Sequence, residues 1–365
     1  MIAALLAAAA AAVSAACDLE TPSGAPGCTQ AAVDALPMNA LQAIGTHNSY
    51  KMAIAPNELA TIRAANPREA DGIDYSHPPL KAQLDAGARQ LEIDLAYDPA
   101  PGLYAAPLGF RMAGKAAVPY DFAPLKQPGL KVLHEASVDY RSVCPLFAQC
   151  LKDIRDWSKA HPDHVPLLIL LNLKEGGLSL PGATVAPPFD AQAMDRIDAE
   201  IRAVFPEAAL ITPDQVQGRR ASLREAAAAG GWPTLKAARG RVMFALDCPP
   251  EQVALYRGAR KVLEGRVAFV NTDETSPAAG YITLNEPQAQ SARIAAAVKA
   301  GIIVRTRADA DTREARANDT ERQAAAFASG AQYVSTDYMV PDVRFGPYVA
   351  KLPGGGVARR SPVQP

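Results

Sequence analysis

Eight short strand-like runs, most of them separated by helix-like stretches, constrain this chain more than any other feature. The runs are LQAIGT (41–46), QLEIDLAY (90–97), LKVLHE (130–135), PLLILLNLK (166–174), RVMFALD (241–247), RVAFVNT (266–272), GIIVRTR (301–307) and AQYVSTD (331–337). Several are continuously apolar rather than alternating, the pattern of parallel strands covered on the outside by helices. The stretches 147–161, 190–205, 224–229, 251–263, 286–300 and 312–330 carry apolar residues near the 3.6-residue spacing of such helices. Repeated strand–helix alternation predicts the α/β class and a closed (β/α)8 TIM-like barrel. An open doubly wound sheet is the alternative, but no GxGxxG follows the first run, so its usual dinucleotide signature is missing.

The chain has 365 residues, enough for two domains, yet barrels of this kind commonly use such a length as one. A single domain over 17–352 is therefore expected. The segments 98–129 and 175–189 read as long loops, and the Gly- and Pro-rich tail 353–365 as disordered. With 37 basic and 38 acidic residues there is no polybasic field, which excludes a nucleic-acid partner on charge grounds.

Residues 1–16, MIAALLAAAAAAVSAA, form an apolar run shorter than the roughly 20 residues a spanning helix needs. They read as a signal peptide, although no Lys or Arg precedes the run, and point to a secreted or periplasmic protein. In that setting Cys17 with Cys28, and Cys144 with Cys150, read as two local disulfides, leaving Cys248 as an odd thiol. A lipid anchor on Cys17 is the competing reading of VSAAC. No CxxC pair supports zinc.

Polar residues cluster at the ends of the apolar runs. The first run leads into His47 and Asn48, and the second holds Glu92 and Asp94. The third holds His134, and the fourth ends in Asn172, Lys174 and Glu175. Asp247, Arg305, Arg307, Asp337 and Tyr338 close later runs. In a parallel barrel all of these gather at one rim, and burying so many polar groups without a purpose is costly. Glu92 and Asp94, two apart on a strand, share a face; with Asn48 they offer the oxygen ligands of a hard cation such as Ca2+. An outward pairing of the two carboxylates with helix cations is the bland alternative. Of five histidines, only His47 and His134 end runs, as a base and an acid for phosphoryl chemistry would. His161 and His164 read as solvent-exposed, and His77 as a capping or packing group.

The stretches GTHNSY (45–50), YSHPPLKAQLDAGARQLEIDLAYD (75–98), LHEAS (133–137), VRTRADADT (304–312) and GAQYVSTDY (330–338) resemble the bacterial calcium-dependent phosphoinositide phospholipase C family. The family belongs to the TIM-barrel phosphodiesterases, and the resemblance runs from about residue 40 to 340. It implies that His47 deprotonates the inositol 2-hydroxyl and that His134 protonates the departing diacylglycerol oxygen. It also implies that Asn48, Glu92 and Asp94 hold Ca2+. Relatives carry a Glu and a Lys two apart on the fourth strand; here the pair is Asn172 and Lys174, so Asn172 or Glu175 would complete a less anionic site. Lys174, Asp247, Arg305 and Tyr338 are candidates for contacts to a phosphoinositide or inositol phosphodiester; for Asp247, Arg305 and Arg307 an inter-strand ion pair inside the barrel is an equal alternative. No hydrophobic, Lys-rich ridge is evident in the sequence, which counts against intact bilayer phosphatidylinositol as substrate and leaves only transient membrane contact. A monomer is expected. Competing functions are a glycerophosphodiester phosphodiesterase, disfavoured because Asn48 and Ser49 follow His47 in place of Arg and Gly, and a non-catalytic phospho-polyol-binding module.

Overall fold

A computed structural model describes residues 17–364, so the apolar run 1–16, read above as a signal peptide, lies outside the described residues. The long apolar run becomes the central strand β4 (Leu167–Lys174), whose residues Leu167–Leu171 are wholly buried. Continuous burial on both faces is what a parallel strand under a helical layer requires. Around it runs a ring: β1 (Leu41–Thr46), β2 (Gln90–Ala96), β4, β6 (Val242–Leu246), β7 (Ala268–Val270), β8 (Tyr281–Thr283), β9 (Ile303–Arg307) and β10 (Tyr333–Thr336), with β10 returning to β1. All neighbours in the ring pair in parallel. The fold is the expected barrel, but distorted.

The distortion sits between β7 and β8. One parallel bridge, Asn271 to Tyr281, joins these strands, and no helix stands between them. The Asn271 side chain reinforces the seam: its Oδ1 accepts from the Thr283 N–H at 3.0 Å and its Nδ2 donates to Asp247 Oδ1 at 2.9 Å. Alongside β6, a two-residue strand, β5 (Leu210–Ile211), pairs with the start and β7 with the end.

Several sequence expectations need correction. The run 130–135 is not a wall strand: only β3 (Lys131–Val132) is extended, antiparallel to β2. The eighth wall strand is β8, which the sequence reading missed because YIT is too short to show a period. The loop 98–129 contains a helix, Leu108–Ala113. The tail expected to be disordered forms β11 (Ala358–Arg360), antiparallel to β1, with Ala358 buried. The stretch 312–330 divides into Arg313–Ala317 and Glu321–Ala328.

Where β1 meets β2, Gly45 lies opposite Gln90, and a Cβ there would fall 2.6 Å from the Gln90 carbonyl oxygen. Only glycine permits that approach. The helices Ala191–Val204 and Leu223–Ala228 start at Asp190 and Ser222, whose side chains accept from the N–H of Ala193 and Glu225. Both expected disulfides, Cys17–Cys28 and Cys144–Cys150, are formed, and Cys248 is a buried free thiol. With its sulfur bonded to Cys28, Cys17 cannot carry a thioether lipid, which corrects the anchor reading. His164 is also corrected: it is buried, its ring bridging Ser158 Oγ at 2.8 Å and the Val165 carbonyl. His161 is exposed as expected.

Candidate active site

The C-terminal ends of β1, β2, β4, β9 and β10 converge on one mouth. His47 follows the last residue of β1, its N–H held by the Thr336 carbonyl at 3.1 Å. Its Nδ1 lies 2.9 Å from Asp337 Oδ1 and 3.1 Å from the Tyr75 hydroxyl, and its Nε2 lies 3.7 Å from Glu92 Oε1. Burial, reinforced by the Arg307 guanidinium, holds the His47 pKa well below the usual imidazole range, so the ring rests neutral. A neutral ring whose Nδ1–H donates to a carboxylate exposes a basic Nε2.

His134 arrives by a different route from the expected one. It lies in the turn beyond β3, not at the end of a wall strand, and that turn is pinned by the His134 and Glu135 N–H groups donating to the Asp139 carbonyl. Its Nδ1 is 2.8 Å from Asp139 Oδ2, while Asp139 Oδ1 meets the fully buried Lys51 ammonium at 3.1 Å. The Lys51 charge lowers the Asp139 pKa against the opposing effect of burial. Both imidazoles, with Tyr75, Arg307 and Asp337, line one cavity of about 310 Å3. Two imidazole–carboxylate pairs facing one space can take a proton on one side of a phosphorus and deliver one on the other.

Beneath this pair, Glu92 and Asp94 point the same way from β2, as their spacing requires. They are not bare. Arg305 Nη2 lies 2.5 Å from Glu92 Oε2, and Lys174 Nζ lies 2.8 Å from Asp94 Oδ2, which also accepts from the Tyr50 hydroxyl at 2.8 Å. Burial works against the Lys174 ammonium, but Asp94 outweighs it and raises its pKa. Among the described residues no group of three or more His, Cys, Asp or Glu side chains is gathered to hold a metal. The oxygens left over are more telling. Asp94 Oδ1 and Asn48 Oδ1 are buried without a hydrogen-bond partner. Asn48 adopts a left-handed backbone, φ 48°, a conformation asparagine tolerates better than other side-chain-bearing residues. Asn172 sits directly across from Asp94 in the β2–β4 register and is half-buried. Unsatisfied carboxylate and amide oxygens on the paired strands β1 and β2 and the turn after β1 are of the kind that a hard cation takes.

The remaining candidates divide. Arg305 is inside, bound to Glu92 and to Asn285 Oδ1 at 2.7 Å. Asp247, its pKa pushed up to about 6 by burial, belongs to the Asn271 seam. Tyr338 is buried among Tyr75, Ala315 and Tyr348 rather than lining the cavity, which corrects its expected contact with substrate. The sequence reading missed Tyr75, Lys51 and Asp139, and gave Asp337 no role. Asp139 lies five residues beyond His134, the one signal that was available.

Exposed large apolar side chains form a further feature of this end. The eight found among the described residues all lie in segments leaving β1, β2, β4 or β10, led by Val343, Met112, Val185 and Val340. These side chains are dispersed over separate loops.

A sequence model of the family described as phosphoinositide phospholipase C, Ca2+-dependent, matches residues 36–362. The chain belongs to this family. Its members are phosphodiesterases of the phospholipase C type, so the barrel carries an enzyme. A solved structure similar to this member is a calcium-dependent phosphoinositol-specific phospholipase C from a Gram-negative Pseudomonas sp. Identity is 16%, TM-score 0.52, and the match covers 90% of this chain and 96% of that one. Another is a Ca2+-dependent phosphatidylinositol-specific phospholipase C from Streptomyces antibioticus, at 20% identity and TM-score 0.51, covering 83% and 95%. At such identities these two support the fold. No curated protein matches.

Proposed function

We propose that this phospholipase C cleaves phosphatidylinositol-like phosphodiesters by internal attack of the inositol 2-hydroxyl on phosphorus. His47 Nε2 takes the hydroxyl proton, and Asp337, on Nδ1, stabilises the imidazolium that results. The new O–P bond closes a five-membered cyclic phosphate as the bond to the diacylglycerol oxygen breaks. His134, oriented by Asp139, gives that oxygen its proton. Arg307, which lines the cavity, supplies positive charge for an anionic phosphate, and Lys174, held on Asp94, would serve the phosphate or a sugar oxygen. Asn48, Glu92, Asp94 and Asn172 would hold Ca2+, which when bound lowers the hydroxyl's pKa and stabilises charge growing on phosphate. The single observation carrying the reading is the pairing of both histidines with carboxylates around one cavity.

The exposed apolar side chains on the segments that leave β1, β2, β4 and β10 support transient seating on a lipid surface, so that a phosphoinositide headgroup enters without leaving the bilayer. Two disulfides and the leader-like residues 1–16 favour export. Phosphorus NMR of products from an inositol phosphodiester tests the reaction. A cyclic phosphate signal as first product is expected; a non-cyclic monoester from the outset would transfer the assignment to water-using phosphodiesterases.

A further inference from the structure

Behind the His47–Asp337 pair lies a second carboxylate that cannot touch substrate. Asp309 follows β9 by two residues, is wholly buried, and is not among the residues lining the cavity. Its Oδ1 accepts the N–H of Asp337 at 2.8 Å. Its Oδ2 is hydrogen-bonded to the hydroxyl of Thr336 and, at 3.2 Å, to that of Tyr348. The Thr336 hydroxyl in turn accepts from the Tyr338 N–H at 2.8 Å. One side chain therefore fixes the main chain on both sides of Asp337 and ties it to the C-terminal segment.

We propose that Asp309 is a positioning residue of this active site: it fixes the backbone of Asp337 and, through the Asp337 carboxylate, the orientation of the His47 ring. The inference rests on the reading of His47 as the base.

Charge counting supports it. The groups facing Asp309 are Asp337 from the end of β10, Arg307 from the end of β9, Tyr338 and Tyr348 from the C-terminal segment, and Glu314 nearby. The only cation among them, Arg307, sets Nη2 3.2 Å from Asp337 Oδ2 and spends its Nε on the Asp309 main-chain carbonyl at 2.9 Å. The Asp309 carboxylate itself receives only neutral donors. Burial raises the pKa of both acids, and two carboxylates sharing one guanidinium retain a proton between them. The proton belongs on Asp309 Oδ2, where it donates to the Thr336 or the Tyr348 hydroxyl oxygen, because Asp337 has both Arg307 and the imidazole. Asp309 thus keeps Asp337 as the ionised partner of His47.

The test compares Asp309→Ala and Asp309→Asn in the full chain. Turnover is measured on a soluble inositol phosphodiester, and the His47 ring N–H is followed by NMR of histidine-15N protein at one fixed pH. Asp309→Ala is expected to lower kcat by roughly tenfold or more with little change in KM, and to move the ring N–H signal. Asp309→Asn, which can still accept from the Asp337 N–H and is neutral like the protonated acid, is expected to restore most of both. Thr336→Val, a shape-conserving loss of one hydroxyl, supplies a smaller effect of the same kind if the alanine variant does not fold. An unmoved ring signal in Asp309→Ala, or in Thr336→Val where alanine fails, would overturn the inference whatever happens to rate. Full turnover in His47→Ala would instead remove the base reading on which it rests, and the ring signal separates the two failures.

Discussion

Arg305 reaches across the barrel interior to Glu92, Nη2 to Oε2 2.5 Å, joining positions 213 apart in the chain. Both side chains are almost wholly buried. Removing one partner leaves the other charge stranded, which typically costs about 3–5 kcal/mol. Arg305→Met is therefore expected to lower unfolding stability by roughly 3 kcal/mol in urea titration, and Arg305→Met with Glu92→Gln to recover a large part of it. Additive losses in the double variant would contradict the pairing.

Calcium dependence is expected if the oxygens left unpartnered at Asn48 and Asp94 serve as ligands, as proposed. Because Glu92 and Asp94 already carry Arg305 and Lys174, the site offers little net negative charge, and weak affinity is expected. Chelation should abolish turnover and added Ca2+ restore it. Calorimetry should show Ca2+ binding in the wild type and a loss of roughly tenfold or more in affinity for Asp94→Asn, on the scale of about 1.4 kcal/mol per tenfold. Full activity in chelator would remove these residues from any metal role.

The acid side of the stability curve should carry the mark of His164. Burial lowers its pKa from 6.5 to about 4. The unfolded chain therefore binds a proton that the folded chain refuses, so stability falls as pH drops from 6.5 towards 4. The full effect is on the order of 3 kcal/mol. His164→Gln should unfold with a shallower pH dependence in that window, measured by urea midpoints between those limits. An unchanged slope would show that the ring takes its proton in place.

Seating of the exposed apolar side chains on lipid, as proposed above, predicts a split between substrates. Met112→Asp with Val185→Asp should reduce cleavage of phosphatidylinositol in vesicles by roughly tenfold or more while leaving a soluble inositol phosphodiester untouched. Equal losses on both would place these residues in folding rather than docking.

How much of this was legible in the sequence depended on whether position along a strand decided the outcome. Glu92 and Asp94 could be placed on one face because two-residue periodicity leaves no choice, and β4 announced itself by five consecutive buried apolar residues, Leu167–Leu171. His134 was read into the right mouth for the wrong reason: its turn is set by Asp139 and Lys51, contacts that no periodicity encodes. For Arg305 the sequence leaves a substrate contact and an ion pair inside the barrel equally open, because it shows a charge at a strand end but not the Glu92 facing it. The strand β11 was hidden by its Gly-rich approach.

The division of labour between the two histidines is the central claim, and a leaving-group comparison tests it most directly. His47→Ala and His134→Ala are assayed on inositol phosphodiesters bearing either an alkyl alcohol or a nitrophenol, with folding checked by circular dichroism. If His134 supplies the leaving-group proton, its variant should lose roughly 100-fold or more with the alcohol and recover most of that with the acidic phenol, while His47→Ala stays inactive on both. Equal recovery of the two variants, or of neither, would contradict the assignment of base and acid.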